Sequence, residues 1–389
     1  MANSAITPAR RVTAVERSPF YSIMDLAAKR SDCVYLHLGE PDFDTPAHII
    51  AAAEEALRGG WTHYTADRGL PKLRELIAAE IQKETGAEYR FEDEILVTAG
   101  GQAALHTAVM GLVNPGDEVI LLAPYYPPYL VNVQLAGAVP VVVQTQAKDE
   151  FNPDLEAIEA AVTARTKAMI VHSPNNPCGT IYSHKILGSL MELAERHNIT
   201  IISDEVYDHF IYGAEKHTSP ASFPNAKQRL ILVNSFSKTY AMTGWRVGYI
   251  AAPSDVALQF LKYHHTVNIC AAAFAQRACI AALEGPQDCL TEMIEEYDRR
   301  RARIVERVNQ IPRLSCMMPR GAFYVFVNIE QLSLPSLEFA RHLVQEAGVV
   351  TANGSGFGAE GYIRLSYAAK IEQIDEALDR IAAVVSRMP

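Results

Sequence analysis

Ser235-Phe236-Ser237-Lys238, with Arg246 eight positions further on, is a set of side chains able to grip and react with a phosphorylated carbonyl compound. The lysine amine can attack a carbonyl to form a Schiff base, while small hydroxyls and a guanidinium fork suit phosphate oxygens. The apolar run Leu230-Ile231-Leu232-Val233 just before it predicts a buried strand. Lys238 then falls just past a strand end, where α/β folds place their chemistry. A lysine following serines is by itself ordinary surface sequence. Its meaning depends on the company it keeps.

Several other stretches carry chemistry-bearing residues at the ends of apolar runs. Thr98-Ala99-Gly100-Gly101-Gln102 links a strand at Ile95–Val97 to a helix at Ala103–Leu112, and a helix N-terminus behind a glycine turn offers free N–H groups to an anion. The strand Thr200–Ser203 runs directly into Asp204-Glu205-Val206-Tyr207, where the acids are either solvated caps or site residues. Ser173-Pro174-Asn175-Asn176-Pro177-Cys178-Gly179 is a polar turn, and Leu38-Gly39-Glu40-Pro41 opens a loop whose glycine permits close backbone approach. Arg364 lies within the strand-like Tyr362–Ser366, and Tyr64 within the aromatic stretch Trp61–Thr65. Taken singly, these read as a paired strand-edge arginine and a packing aromatic.

The elements that must position these residues alternate strand and helix from Glu94 to Tyr207 with short turns, which predicts an α/β fold with a mostly parallel sheet. After Pro253 the texture changes. Helical segments are expected at Ser254–Leu283 and Asp288–Gln310, broken at Gly285-Pro286, followed by strand-like Ala322–Val327, a helix at Ser336–Glu346 and a closing helix at Ile371–Ser386. With 389 residues, two domains are expected: a large one over 47–283, and a smaller α+β one formed by 1–46 with 284–389.

Composition narrows the function further. A formal charge of −10 leaves no basic stripe for nucleic acid, and Arg299-Arg300-Arg301 reads as a solvated helix face. The six cysteines form no CxxC pair, so neither a structural metal nor a disulfide framework is expected. There is no signal-like apolar segment near Met1 and no run of membrane-spanning length, which places the expected location in the cytoplasm.

With these motifs in this order, the sequence resembles the class I/II aminotransferases, which are fold type I pyridoxal-phosphate enzymes, from Gly39 to Arg364. The resemblance implies that Lys238 is the Schiff-base lysine and that Ser235, Arg246, Gly101 and Gln102 hold the cofactor phosphate, with Ser237 a further hydroxyl. It implies that Asp204 pairs with the pyridine nitrogen, that Tyr207 and Asn176 bond the phenolic oxygen, and that Tyr126 stacks on the ring, where many relatives have Trp. Arg364 matches the clamp on the substrate α-carboxylate, with Gly39 and Asn176 beside it. Tyr64 resembles a tyrosine supplied by a neighbouring subunit, so a homodimer is implied.

Two departures bear on chemistry. Cys178 stands where Ser or Thr is usual, a change conservative in size. Gln102 stands where a subgroup that includes dicarboxylate-specific members has Lys, so the usual partner of a side-chain carboxylate is missing, unless Arg17 or the other subunit replaces it. The tyrosines of Tyr125-Tyr126-Pro127-Pro128-Tyr129 and Phe20-Tyr21 point to neutral or aromatic amino donors. The expected reaction is a ping-pong transfer of an amino group from an L-amino acid to a 2-oxo acid. A β-lyase or an amino acid oxidase would share the same motifs. A non-catalytic relative within a transcription regulator is disfavoured, because the first strand-like patch begins by Val34 and leaves no room for a DNA-binding module.

Overall fold

The computed structural model describes residues 6–16, 20–214 and 216–389. Arg17 therefore lies outside the described residues. The strands are β1 (Val34–Tyr35), β2 (Ile95–Thr98), β3 (Glu118–Ala123), β4 (Val139–Gln144), β5 (Thr166–His172), β6 (Thr200–Asp204), β7 (Leu230–Ser235) and β8 (Gly248–Ala251). They continue with β9 (Ser315–Cys316), β10 (Tyr324–Asn328), β11 (Val349–Val350), β12 (Ala352–Asn353) and β13 (Tyr362–Ser366).

The main sheet has the order β2-β8-β7-β6-β5-β3-β4. Strands β4, β3, β5, β6 and β7 are parallel neighbours, as the strand–helix alternation predicts. Both faces are covered, so the central strands read as continuous apolar runs rather than alternating ones. Ile120, Leu122, Met169 and Leu232 pack on one face with the helices Pro71–Thr85, His184–Arg196 and Ala273–Glu284. Val119, Leu121, Ile170 and Val233 pack on the other with Gly101–Leu112 and Ser254–Asn268. One step along a strand thus switches a side chain between two cores.

Three local expectations need correction. The chain doubles back after Arg246 into β8, antiparallel to both β7 and β2, where no strand was expected. The stretch expected as one helix over Ser254–Leu283 is two, because Ile269 adopts φ 62° and ends the first at Asn268 without a glycine or proline to announce it. The run Tyr125-Tyr126-Pro127-Pro128-Tyr129, whose paired prolines predict a loop, instead passes at Pro128 into a helix, Pro128–Leu135, with Pro128 in its first turn.

A second sheet has the order β12-β13-β10-β9, all antiparallel, and β1 pairs in parallel with β11. Val34 and Leu36 share a core with Phe323, Val325 and the helix Ile371–Val385, so the early segment packs with the chain's last part. Arg300 departs from its expected place on a solvated face. It is buried in the helix Asp288–Gln310, and its Nη1 donates to both Asp42 carboxylate oxygens at 2.8 and 2.9 Å. Arg299, one position earlier, is exposed and pairs with Glu296. The Asp42–Arg300 pair anchors the loop that carries Gly39. Among the described residues, no helix is long and apolar enough to cross a membrane.

Candidate active site

The C-terminal ends of β5, β6 and β7 open into a cavity of about 330 Å³, closed on its other side by the loop at Gly39 and by β10 and β13. Lys238, Asp204, Arg246 and Arg364 all line it, together with Gly39, Gly101, Gln102, Tyr126, Asn176, Tyr207 and Ser235. Every sequence-predicted site residue but one is therefore brought to a single cavity. Tyr64 is the exception: it does not line the cavity and is 79% exposed.

At one end the cavity is built for an anion. The helix Gly101–Leu112 begins there with no side chain capping its N-terminus, leaving its first-turn N–H groups free for a ligand. Gly100 holds φ 92°, and a Cβ at that position would lie 2.5 Å from the Arg246 Nη2, so only glycine lets the guanidinium approach the turn. Ser235 Oγ donates to Val247 O at 3.0 Å and lies 2.9 Å from Ser237 Oγ. Behind it, Asn234 accepts from the Ser235 N–H at 2.7 Å and donates to Asp208 at 2.6 Å, which fixes where β7 ends.

At the other end Asp204 is buried at the tip of β6. Its carboxylate accepts from the Tyr129 hydroxyl at 2.7 Å and from the Val206 N–H at 3.3 Å. His172, closing β5, contacts the Asp204 carbonyl at 2.9 Å through Nδ1 and meets the Tyr129 ring edge to face. Asp204 is thus a carboxyl group braced on both oxygens at the cavity wall.

Lys238 stands between the two ends. Burial lowers the pKa of its amine to about 8, with Arg364 and Arg246 adding to the shift and Glu40 and Asp204 opposing it. Its Nζ donates to the Gly39 carbonyl.

The third part of the cavity is cationic. Arg364, buried on β13, donates from Nη1 to Asn176 Oδ1 at 2.8 Å and from Nη2 to the His37 carbonyl at 2.6 Å. Its guanidinium lies over the Tyr324 ring, 4.2 Å from the centroid, and 5.0 Å from that of Phe357. The Nε is buried with no hydrogen-bond partner among the described residues. A buried, unpaired donor on an arginine is what a carboxylate ligand would satisfy. The His37 ring is pushed down to about 4 by burial and by Arg364, which leaves it neutral beside the clamp.

Sequence reasoning missed His172 and Tyr324, and it assigned Tyr129 to the amino-donor pocket, whereas its hydroxyl is bound to Asp204 behind the cavity. Tyr324 Oη lies 2.7 Å from Tyr207 Oη, and a Cβ on Gly39 would come within 2.6 Å of the same oxygen. The glycine at position 39 is thus required by Tyr324. Outside the cavity, Glu84, Asp208 and His209 place ligand atoms within 4.8 Å of one another. Burial and the nearby Asp208 raise the Glu84 carboxyl to about 7.

An uncapped helix end with hydroxyls and an arginine, a braced buried carboxylate and a half-buried amine between them fit pyridoxal phosphate, whose phosphate, pyridine nitrogen and aldehyde need those three partners. Comparisons with known proteins agree. The profile described as "Aminotransferase class I and II" matches residues 31–381. An aspartate aminotransferase of Pyrococcus abyssi is 41% identical over 379 residues, covering 96% of this chain and 97% of its own. An aromatic-amino-acid aminotransferase of Thermococcus litoralis is 38% identical over 379 residues, at 96% and 97% coverage. The crystal structure of an aspartate aminotransferase from Rhizobium meliloti superposes with a TM-score of 0.95 at 35% identity, covering 99% of this chain and 100% of that one. The chain belongs to the class I and II aminotransferases, with the fold of type I pyridoxal-phosphate enzymes.

Proposed function

We propose that this chain is a pyridoxal-phosphate-dependent transaminase that moves the amino group of an L-amino acid, with neutral or aromatic side chains favoured, to a 2-oxo acid by a ping-pong route. One observation carries the reading. The Lys238 amine and the Arg364 side chain, whose buried Nε has no partner among the described residues, line one cavity whose far end is an uncapped helix N-terminus.

Bound there, pyridoxal phosphate supplies an electron-withdrawing ring able to accept the electron pair released at a substrate Cα. Gly101, Gln102, Ser235 and Arg246 hold its phosphate, and Ser237 is within reach of the same group. Asp204 holds its ring nitrogen in the protonated state, and Tyr126 covers its face. Tyr207 and Asn176 hydrogen-bond its phenolic oxygen. Arg364 fixes the substrate α-carboxylate, with Asn176 and Gly39 beside it, and so sets which bond at Cα faces the ring. Lys238, with an amine near pKa 8, then takes the Cα proton on Nζ as general base.

The substrate preference rests on charge. Among the described residues lining the cavity the cations are Lys238, Arg246 and Arg364, and each already has a task. Among these described residues a side-chain carboxylate finds no fourth cation, and Gln102 occupies the position where a lysine would serve; Arg17 and the other subunit lie outside that set. The relatives named above include both aspartate and aromatic enzymes, so sequence likeness alone does not decide between them.

The working unit is a homodimer, with Tyr64 of each copy reaching the other's phosphate end; its 79% exposure in the single chain supports this. Residues 47–283 form the large domain, and 1–46 with 284–389 the small one. Mixing the holoenzyme with single amino acids and following the cofactor's absorbance tests the function. Stoichiometric conversion, reversed by 2-oxo acids, is expected. Many turnovers without an oxo acid would instead mark a lyase or, with oxygen uptake, an oxidase.

A further inference from the structure

We propose that Tyr324 is a positioning residue that couples occupation of the Arg364 clamp to the proton affinity at Lys238, acting through the Tyr207 hydroxyl. The inference rests on the cofactor reading above.

The geometry gives Tyr324 two contacts that no other residue combines among those described. Its ring is the surface under the Arg364 guanidinium, at 4.2 Å, and its hydroxyl meets that of Tyr207 at 2.7 Å. It is 1% exposed, on β10, where Phe326 pairs with Arg364 across to β13. Tyr207 lies on the other sheet's side, in the turn that follows β6. The two rings also meet edge to face at 5.8 Å, and Phe323 packs against both. Neither hydroxyl can swing away without emptying that packing.

Direction follows from donor arithmetic. Tyr207 has one hydroxyl proton. If it donates that proton to an anionic phenolic oxygen in the cavity, its own oxygen can only accept from Tyr324. The chain then runs Tyr324 to Tyr207 to ligand, and each bond polarises the next. The Arg364 charge over the Tyr324 ring makes that hydroxyl a better donor. When a substrate carboxylate neutralises Arg364, Tyr324 donates less strongly, Tyr207 follows, and the phenolic oxygen keeps more negative charge. The proton held beside it on the Lys238 nitrogen is then bound more tightly. Carboxylate binding thus raises that proton affinity through a path separate from the direct Arg364–Asn176 bond.

The test is a spectral titration of the holoenzyme with Tyr324→Phe, Tyr207→Phe and the double variant. Tyr324→Phe keeps the ring under Arg364 and removes only the hydroxyl. Its absorbance midpoint is expected to rise by roughly half a pH unit, with that of Tyr207→Phe rising further. The double variant should match Tyr207→Phe alone, because the effect passes through Tyr207. A substrate-like carboxylate lacking the amino group, 3-phenylpropionate, should raise the wild-type midpoint and raise that of Tyr324→Phe less. An unchanged midpoint in Tyr324→Phe, or equal shifts with and without the Tyr207 hydroxyl, would overturn the proposal while leaving the transaminase reading intact. A protein that takes up no chromophore would instead overturn the cofactor reading and this inference with it.

Discussion

Arg364 and Asn176 meet through one hydrogen bond of 2.8 Å, which joins β13 of the smaller sheet to the turn after β5 of the larger. The two sheets touch the substrate region at the same point, so a change at either residue is felt by both.

Arg364→Ala is expected to lower kcat/KM for an amino acid about a hundred- to a thousand-fold, the scale of losing one partner of a buried charged contact. Asn176→Ala should cost less, roughly ten- to a hundred-fold, because it removes a neutral acceptor. Steady-state kinetics on both variants, with cofactor content checked by absorbance, measures this. Equal losses in the two would show that the neutral Asn176 contributes as much as the charged clamp.

Gly100→Ala combines a left-handed backbone, φ 92°, with a Cβ 2.5 Å from the Arg246 guanidinium. It should weaken cofactor binding at least about ten-fold and cost on the order of 1–2 kcal/mol of stability. Cofactor titration by fluorescence and denaturant unfolding would separate the two effects. An unaltered affinity would mean that the turn holds no phosphate.

The lowered pKa of Lys238 makes a prediction about pH. An amine that ionises near 8 when folded and at its ordinary 10.5 when unfolded is bound to more protons in the unfolded chain between those values. Its burden on stability is therefore full below about pH 8 and is relieved as pH rises toward 10.5. Relative to Lys238→Met, the cofactor-free protein should gain stability over that window in denaturant melts. A constant difference between the two proteins would show that burial does not shift this amine.

Arg300→Met removes the buried guanidinium that pairs with Asp42, whose own carboxylate reaches solvent. A loss of about 1–2 kcal/mol is expected, visible as a lowered Tm. Because Asp42 shares its loop with Gly39, the KM for amino acid should rise as well. An unchanged Tm would mean that the contact is dispensable for the fold.

Much of this site could be read from the chain because its residues sit where apolar runs stop. Asp204 closes β6, and Lys238 follows the end of β7; periodicity alone marks both places. Tyr129, His172 and Tyr324 could not be read in this way. Each is embedded in, or directly follows, an apolar stretch and looks like core, and what makes it part of the site is a long-range contact. Tyr324 reaches Arg364 only through the antiparallel register that sets Phe326 opposite it, and a single sequence does not carry that pairing. The break at Ile269 was hidden for another reason: an isoleucine held at positive φ by its surroundings has no local signature.

The antiparallel return of β8 has one more consequence. Ser235 pairs with Gly248 across β7 and β8, so the segment carrying both Lys238 and Arg246 is clamped at its two ends by a fixed register. The span between amine and guanidinium works as a ruler whose length is counted in residues. Substitutions within it can be absorbed, but inserting or deleting a single residue changes the measure itself. Loss of cofactor from such a variant would come without any change in the residues that touch the cofactor.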